Sequence, residues 1–209
     1  MITPKPLVFV IDDDASVRKS LTRLLDSAGY QSELFESAVA FLDRPPCSEP
    51  SCVIVDVRMP GLSGIDFQEA LIEHRREEQL IFVTGHGDVP MCARVMKAGA
   101  VDFLPKPIKP DELLQCVERA LKRSSVQRSV ASEKDEARQR LNTLTAREFE
   151  VMELIASGML NKQAGAQLNI AEKTVKVHRG RVMQKLGIAS VAELVRLVQK
   201  ADVAQPTAH

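Results

Sequence analysis

The stretch LVFVIDDD, residues 7–14, decides the fold, because five consecutive apolar residues lead directly into three aspartates. A short, continuous apolar run is typical of a strand buried on both faces of a parallel sheet. A helical pattern follows over 16–28, with Gly29 placed to end it. The sequence therefore predicts a β–α unit whose strand ends in acidic side chains.

The same alternation of apolar run and helical pattern repeats four more times before residue 124. Strands are predicted at 31–35, 52–55, 80–83 and 102–104, and helices at 37–42, 65–74, 89–98 and 110–123. This order predicts an α/β fold, a doubly wound five-stranded parallel sheet.

The composition is that of a globular protein, but the charge is divided unevenly. Residues 1–123 hold 15 basic and 19 acidic side chains, and residues 124–209 hold 13 and 9. The segment 171–185 has five basic residues and one acidic residue, which favours a nucleic-acid partner. We find no membrane span or signal peptide, and the four cysteines lack metal-site spacing, so we expect a cytoplasmic protein with reduced thiols.

Polar side chains directly follow four of the predicted strands, and ligands of open parallel sheets bind at that edge. They are Asp12, Asp13 and Asp14 after the first strand, Asp56 after the third, Thr84 after the fourth and Lys106 after the fifth. Each alone has an ordinary explanation as a loop residue or helix cap, and Asp14 is the clearest cap. Together they predict a Mg²⁺ site in which Asp56 is a nucleophile and Lys106 and Thr84 hold phosphoryl oxygens.

The second half of the chain is predicted to be entirely helical. Residues 124–140 are polar and form a linker, interpreted as helical, and helices follow at 146–157, 162–168, 172–186 and 191–200. Thr145 and Glu148 form a capping box. The tight turn before 172 predicts a helix-turn-helix whose second helix enters the major groove.

The second helix supplies the expected DNA contacts. We assign Val175 and Val182 to the core, and we favour packing or a phosphate contact over base reading for His178. The predicted DNA-binding residues are Lys173, Thr174, Lys176, Val177, His178, Arg179, Arg181 and Lys185.

The first half resembles the receiver domain of two-component response regulators, a flavodoxin-like fold. The similarity lies in VIDDD (10–14), VDVRMPG (55–61), VTGHG (83–87) and KAGAVDFLPKP (97–107). It implies that Asp56 is the phosphoacceptor, that Mg²⁺ binds Asp13, Asp56 and the main-chain carbonyl of Arg58, and that Asp12 acts through water. It also implies Thr84 and Phe103 as switch residues and Lys106 before a cis proline. Arg58 and His86 lie where side chains in that family tune the lifetime of the acyl phosphate.

The second half resembles the LuxR-type helix-turn-helix in LTARE (144–148), NK (161–162), TVKVHR (174–179) and KL (185–186). Together the two halves are similar to the FixJ-type branch of the NarL/FixJ family. Two departures stand out. Ala164 and Gly165 stand where relatives often carry a large aliphatic residue followed by alanine, so we expect the first helix of the helix-turn-helix to pack loosely. Gly180 stands where some relatives have a side chain that contacts DNA, and we expect Arg181 to make that contact instead.

The resemblance implies a transcription factor rather than an enzyme, divided into a receiver (1–123), a linker (124–140) and a DNA-binding domain (141–209). Its expected partners are a sensor histidine kinase, double-stranded DNA, RNA polymerase and a second copy of the chain. One alternative is a haloacid-dehalogenase-like phosphatase with Asp12 as nucleophile and Asp14 as acid/base. Another is a DNA-binding regulator that needs no phosphate.

Overall fold

A computed structural model describes residues 6–85 and 89–202, so His86 lies outside the described residues. Five parallel strands form one sheet in the order β2-β1-β3-β4-β5, which confirms the predicted fold class. The strands are β1 (Leu7–Ile11), β2 (Gln31–Phe35), β3 (Ser51–Asp56), β4 (Gln79–Thr84) and β5 (Asp102–Pro105).

Helices cover both faces of this sheet. They are α1 (Ala15–Ser27), α2 (Ala38–Leu42), α3 (Gly64–Glu73), α4 (Val89–Lys97) and α5 (Pro110–Leu141). The side chains of Asp14, Ser37 and Ser63 cap the first three helices, which fixes where each begins. Every residue of β3 and β4 is buried, in keeping with a sheet covered on both sides.

The strand register sets the position of the acidic residues. Ile11 pairs with Val55, and Asp56 pairs with Val83. Asp12 and Thr84 therefore lie beside Asp56 at the carboxyl edge of the sheet, where such folds bind ligands.

Helix α5 is longer than the sequence pattern predicted. It was expected to end at Arg123, yet it continues without a break to Leu141, because 111–141 contains no glycine or proline. The buried Ser124 Oγ accepts a hydrogen bond from Ser51 N at 3.0 Å, and Arg128 donates to the carbonyl of Cys47 at 2.7 Å. The chain divides into two compact units after Arg128, five residues beyond the expected receiver boundary.

The second unit packs the end of α5 with four further helices around one core. They are α6 (Ala146–Ala156), α7 (Asn161–Leu168), α8 (Glu172–Leu186) and α9 (Val191–Ala201). Ala137 and Leu141 are buried in this core, so the last turn of the predicted linker, which contains Ala137, belongs to it.

The expectation of loose packing at α7 was wrong. Ala164 is fully buried, and a Cβ at Gly165 would lie 2.8 Å from the carbonyl oxygen of Ile170. The small residues therefore let α7 approach the following turn closely.

The described residues include no candidate for a membrane span, and their cysteines are thiols. Within 6–85 and 89–202, no helix is both long enough and apolar enough to cross a membrane. All four cysteines are free, and burial raises the pKa of Cys52 and that of Cys116, the latter to about 11.

Candidate acidic site and nucleic-acid interface

Three carboxylates meet at the carboxyl edge of the sheet. Asp12, Asp13 and Asp56 each place an oxygen within 4.8 Å of the others. Asp12 and Asp56 are buried, whereas Asp13 is exposed, so the cluster opens to solvent on one side. Hard carboxylate oxygens are the ligands that Mg²⁺ prefers, and the residues present therefore fit that ion.

Lys106 joins two of these carboxylates. Its Nζ lies 2.6 Å from Asp56 Oδ2 and 2.9 Å from Asp12 Oδ2, and its backbone N–H donates to the Thr84 carbonyl at 2.8 Å. The Lys106–Pro107 peptide bond is cis, as the resemblance implied. Burial disfavours the ammonium, but hydrogen bonds and charge from Asp56 and Asp12 outweigh it and raise the pKa of Lys106.

The loop after β1 is held by contacts that the sequence did not reveal. Asp12 Oδ1 accepts from the N–H of Asp14 at 2.9 Å. The guanidinium of Arg18 donates to the carbonyls of Asp12 and Asp13 at 2.5 and 3.0 Å. Arg18 lies one helical turn after Asp14, and this spacing is the feature of the sequence that could have indicated its contact with the loop.

Asp14 caps α1, as predicted. It accepts hydrogen bonds from the hydroxyl and the N–H of Ser16, both at 2.7 Å, and these bonds lower the pKa of Asp14. A carboxyl with a lowered pKa is ionised at neutral pH, so Asp14 lacks the proton that a general acid needs.

Asp56 is oriented by its own loop. Its Oδ1 accepts from Arg58 N at 3.0 Å, and the Arg58 side chain is exposed. Gly64 N donates to the Val57 carbonyl at 3.0 Å, and a Cβ at Gly64 would lie 2.6 Å from the Asp56 carbonyl oxygen. Gly64 is thus a site residue that sequence reasoning missed.

The two expected switch residues differ in burial. Thr84 is 1% exposed, and Phe103 is half-buried against the core on the α4 side of the sheet. Thr84 is the last residue of β4 and directly follows Val83, the partner of Asp56, whereas Phe103 is the second residue of β5.

Helix α8 presents one basic face to solvent. Among its predicted DNA contacts, the exposed residues are Lys173, Thr174, Lys176, Val177, Arg181 and Lys185, and the half-buried ones are His178 and Arg179. Val175 and Val182 are buried on the opposite face, as expected from their spacing. The exposed fraction of Val177 is 48%, so an apolar side chain stands among the cations.

Lys185 is engaged within the second unit. Its Nζ lies 2.6 Å from Glu148 Oε2 and 3.3 Å from the Thr143 carbonyl. Glu148 also accepts from Thr145 N in the predicted capping box. These contacts tie α8 to the start of α6, and they lower the pKa of Glu148 to about 2, chiefly through the Lys185 hydrogen bond.

The lowered pKa of Glu148 predicts a pH-dependent contribution to stability. Ionised Glu148 stabilises the fold fully above its ordinary pKa of 4.5, and this contribution is lost as the pH falls towards about 2. Glu148→Gln keeps an acceptor for the cap but removes the charge. In urea denaturation, we expect wild type to be more stable than this variant at pH 7. We expect this difference in stability to disappear as the pH falls from 4.5 to about 2. An advantage that does not change with pH would contradict the assignment.

An acidic cluster with a bridging lysine at the edge of a doubly wound sheet, in a chain that also carries a helix-turn-helix unit, is typical of a DNA-binding response regulator. The family "Response regulator receiver domain" matches residues 8–118, and "Bacterial regulatory proteins, luxR family" matches residues 142–198. The chain belongs to the NarL/FixJ family of response regulators.

Relatives match along nearly their whole length. Nodulation protein W of Bradyrhizobium diazoefficiens is 45% identical, covering 95% of this chain and 88% of that protein. Transcriptional regulatory protein FixJ of the same species is 40% identical, covering 97% and 98%. Among solved structures, the response regulator StyR has a TM-score of 0.84 at 46% identity, covering 94% of this chain and 100% of that chain. Full-length FixJ from B. japonicum has a TM-score of 0.58 at 40% identity, covering 97% and 100%.

Proposed function

We propose that this chain is a cytoplasmic transcription regulator switched by phosphorylation of Asp56, with a sensor histidine kinase as donor. The observation that carries the proposal is the contact of Lys106 Nζ with both Asp56 and Asp12. It places one cation beside an oriented carboxylate at the solvent-facing edge of the sheet, as phosphoryl transfer requires.

In the transfer step, a carboxylate oxygen of Asp56 attacks the phosphorus of phosphohistidine. The new P–O bond forms as the P–N bond breaks, and the histidine nitrogen leaves with its electron pair and is protonated by solvent. The ammonium of Lys106 then pairs with a negatively charged oxygen of the phosphoryl group. The Thr84 hydroxyl donates a hydrogen bond to a phosphoryl oxygen as well. Asp12, Asp13, Asp56 and the Arg58 carbonyl would hold Mg²⁺, which neutralises charge on the phosphoryl oxygens when bound.

The switch then acts by a population shift, since the added charge is best satisfied with Thr84 and Phe103 rearranged. We propose that the face around α4 and α5 then pairs with a second copy of the chain. Val89 and Met96 on α4 are 83% and 40% exposed, which supplies apolar surface for such a contact. In the proposed division, the unit that ends at Arg128 receives the signal, and the unit that begins at Ser129 binds DNA and contacts RNA polymerase. The expected linker 124–140 lies within α5 and is shared between the two units.

The test is to incubate the chain with Mg²⁺ and acetyl phosphate and to record intact mass and oligomeric state. Wild type should gain one phosphoryl group and form dimers, and Asp56→Asn should do neither. Asp56→Asn retains the shape of the side chain, so it separates chemistry from folding. An adduct of unchanged yield in Asp56→Asn would overturn the assignment, and dimers without an adduct would favour a phosphate-independent regulator.

The phosphatase alternative is not supported. Asp14 is the cap of α1, Asp12 is bound to Lys106, and FixJ and StyR, reported above, are regulators by name. Steady release of inorganic phosphate that survives in Asp56→Asn and is lost in Asp12→Asn is the result that this alternative would require.

A further inference from the structure

The side chain of Arg18 on α1 reaches back to the loop that carries two of the three clustered carboxylates. Its Nη1 donates to the carbonyl of Asp12 at 2.5 Å and to that of Asp13 at 3.0 Å. Arg18 is half-buried, so water competes only partly for these bonds. One guanidinium therefore joins two consecutive peptide groups of the loop to the first turns of the helix that follows it.

Asp12 is held at three of its oxygen atoms. Its Oδ1 accepts from Asp14 N at 2.9 Å, its Oδ2 accepts from Lys106 Nζ at 2.9 Å, and its carbonyl oxygen accepts from Arg18. The first two bonds orient the carboxylate, and the third fixes the peptide group next to it. Arg18 thus completes the set of contacts that determines where Asp12 points.

Asp13 depends on this arrangement in a different way. Its side chain is exposed, whereas Asp12 is buried, yet its carboxylate lies within 4.8 Å of those of Asp12 and Asp56. An exposed carboxylate is not confined by packing, so its position follows from the backbone that carries it. By holding the Asp13 carbonyl, Arg18 limits the directions in which this carboxylate can extend.

The charge of Arg18 makes its position informative. A guanidinium remains protonated in proteins, and a fixed positive charge near a divalent cation weakens the binding of that cation. Any favourable effect of Arg18 on a metal here must therefore come from the geometry that its hydrogen bonds impose.

We propose that Arg18 is a positioning residue for Mg²⁺, because its two hydrogen bonds hold the Asp12–Asp13 loop in the arrangement that binds the ion. The inference rests on the proposed phosphorylation site and deepens it. Residues that touch the metal ligands rather than the metal typically account for a tenfold or larger part of metal affinity.

The test uses the full-length chain, with Mg²⁺ alone as the probe. Isothermal titration calorimetry gives the Kd of wild type and of Arg18→Met, which preserves an apolar stem but cannot donate to a carbonyl. We expect Arg18→Met to bind Mg²⁺ about tenfold more weakly. Loss of a positive charge alone would strengthen binding, so the direction of the change separates positioning from electrostatics.

Phosphorylation by acetyl phosphate supplies a second readout. The Mg²⁺ concentration that gives half the maximal rate should rise by about tenfold in Arg18→Met. The maximal rate should stay near that of wild type, because saturating Mg²⁺ compensates for weaker binding. A lower maximal rate at an unchanged half-saturating concentration would indicate a general structural role and would overturn the inference.

Lys19→Met is the matched control, because it removes an exposed positive charge from the adjacent position of α1. It should leave the Kd for Mg²⁺ nearly unchanged, since solvent screens an exposed charge. Arg18→Ala is a second variant that removes the same hydrogen bonds but carries the best helix former, and it should weaken Mg²⁺ binding as Arg18→Met does.

The inference is overturned if either substitution of Arg18 leaves Mg²⁺ binding as tight as in wild type, or makes it tighter. Failure of the proposed site has a different signature. If wild type itself does not bind Mg²⁺, the proposed metal site is wrong, and this inference with it.

Discussion

Gly64→Ala is expected to lower the free energy of unfolding by about 3 kcal/mol. A Cβ at Gly64 would lie 2.6 Å from the carbonyl oxygen of Asp56 and 3.0 Å from the Cα of Val57. Both atoms belong to the backbone, so neither can turn aside as the end of a flexible side chain would. The start of α3 must therefore move away from the end of β3, which carries Asp56, the proposed phosphoacceptor.

Two measurements check this expectation. Urea denaturation gives the loss of stability, and intact mass after exposure to acetyl phosphate and Mg²⁺ gives the rate of phosphorylation, which should fall as well. Gly85→Ala is the control, because a Cβ there would meet no heavy atom within 4 Å among residues 6–85 and 89–202. It should change the free energy of unfolding by less than about 0.5 kcal/mol. Equal effects of the two substitutions would show that the contact at Gly64 does not constrain the site.

Lys106→Met is expected to cost about 2 kcal/mol of stability at neutral pH, because two neighbouring buried carboxylates lose their shared cation. The side chains of Asp12 and Asp56 are 4% and 10% exposed, whereas that of Lys106 is 26% exposed. Because water reaches the ammonium, we expect a loss of stability smaller than that for breaking a fully buried ion pair. Methionine preserves the apolar stem of the lysine and isolates the effect of charge.

Mg²⁺ distinguishes this explanation from a loss of packing. Since Lys106 and the metal neutralise the same carboxylates, added Mg²⁺ should stabilise Lys106→Met more than it stabilises wild type. Lys109→Met is the control, because the Lys109 side chain is 75% exposed and pairs with Glu112 at the surface. It should leave both stability and the response to Mg²⁺ nearly unchanged. The explanation fails if Mg²⁺ stabilises wild type and Lys106→Met to the same extent.

Much of the site could be predicted because its residues directly follow strands. A continuous apolar run identifies a buried parallel strand, and parallel strands all end at one edge, so Asp12, Asp56 and Thr84 had to meet there. The capping roles of Asp14 and Thr145 were equally predictable, because a cap depends on only a few neighbouring residues.

The helical character of 124–140 was predicted, but its unbroken continuation from the preceding helix was not, since a polar composition does not show where one exposed helix ends and another begins. The continuation of α5 is held by partners distant in sequence, such as Ser51, which is 73 residues from Ser124. The need for glycine at 64 was likewise invisible, because it arises from the approach of α3 to the end of β3.

The sequence by itself determined the fold class, the edge of the sheet at which the carboxylates lie and the basic helix of the second unit, because strand burial, helix periodicity and capping are local properties. Only the tertiary structure decided which partner each charge takes. Lys106 and Asp12 are 94 residues apart in sequence, and Lys185 and Glu148 are 37 apart. Lys185 looks like a DNA contact from its place in a basic helix, yet it binds Glu148, because the packing of α6 against α8 brings that carboxylate within hydrogen-bonding distance.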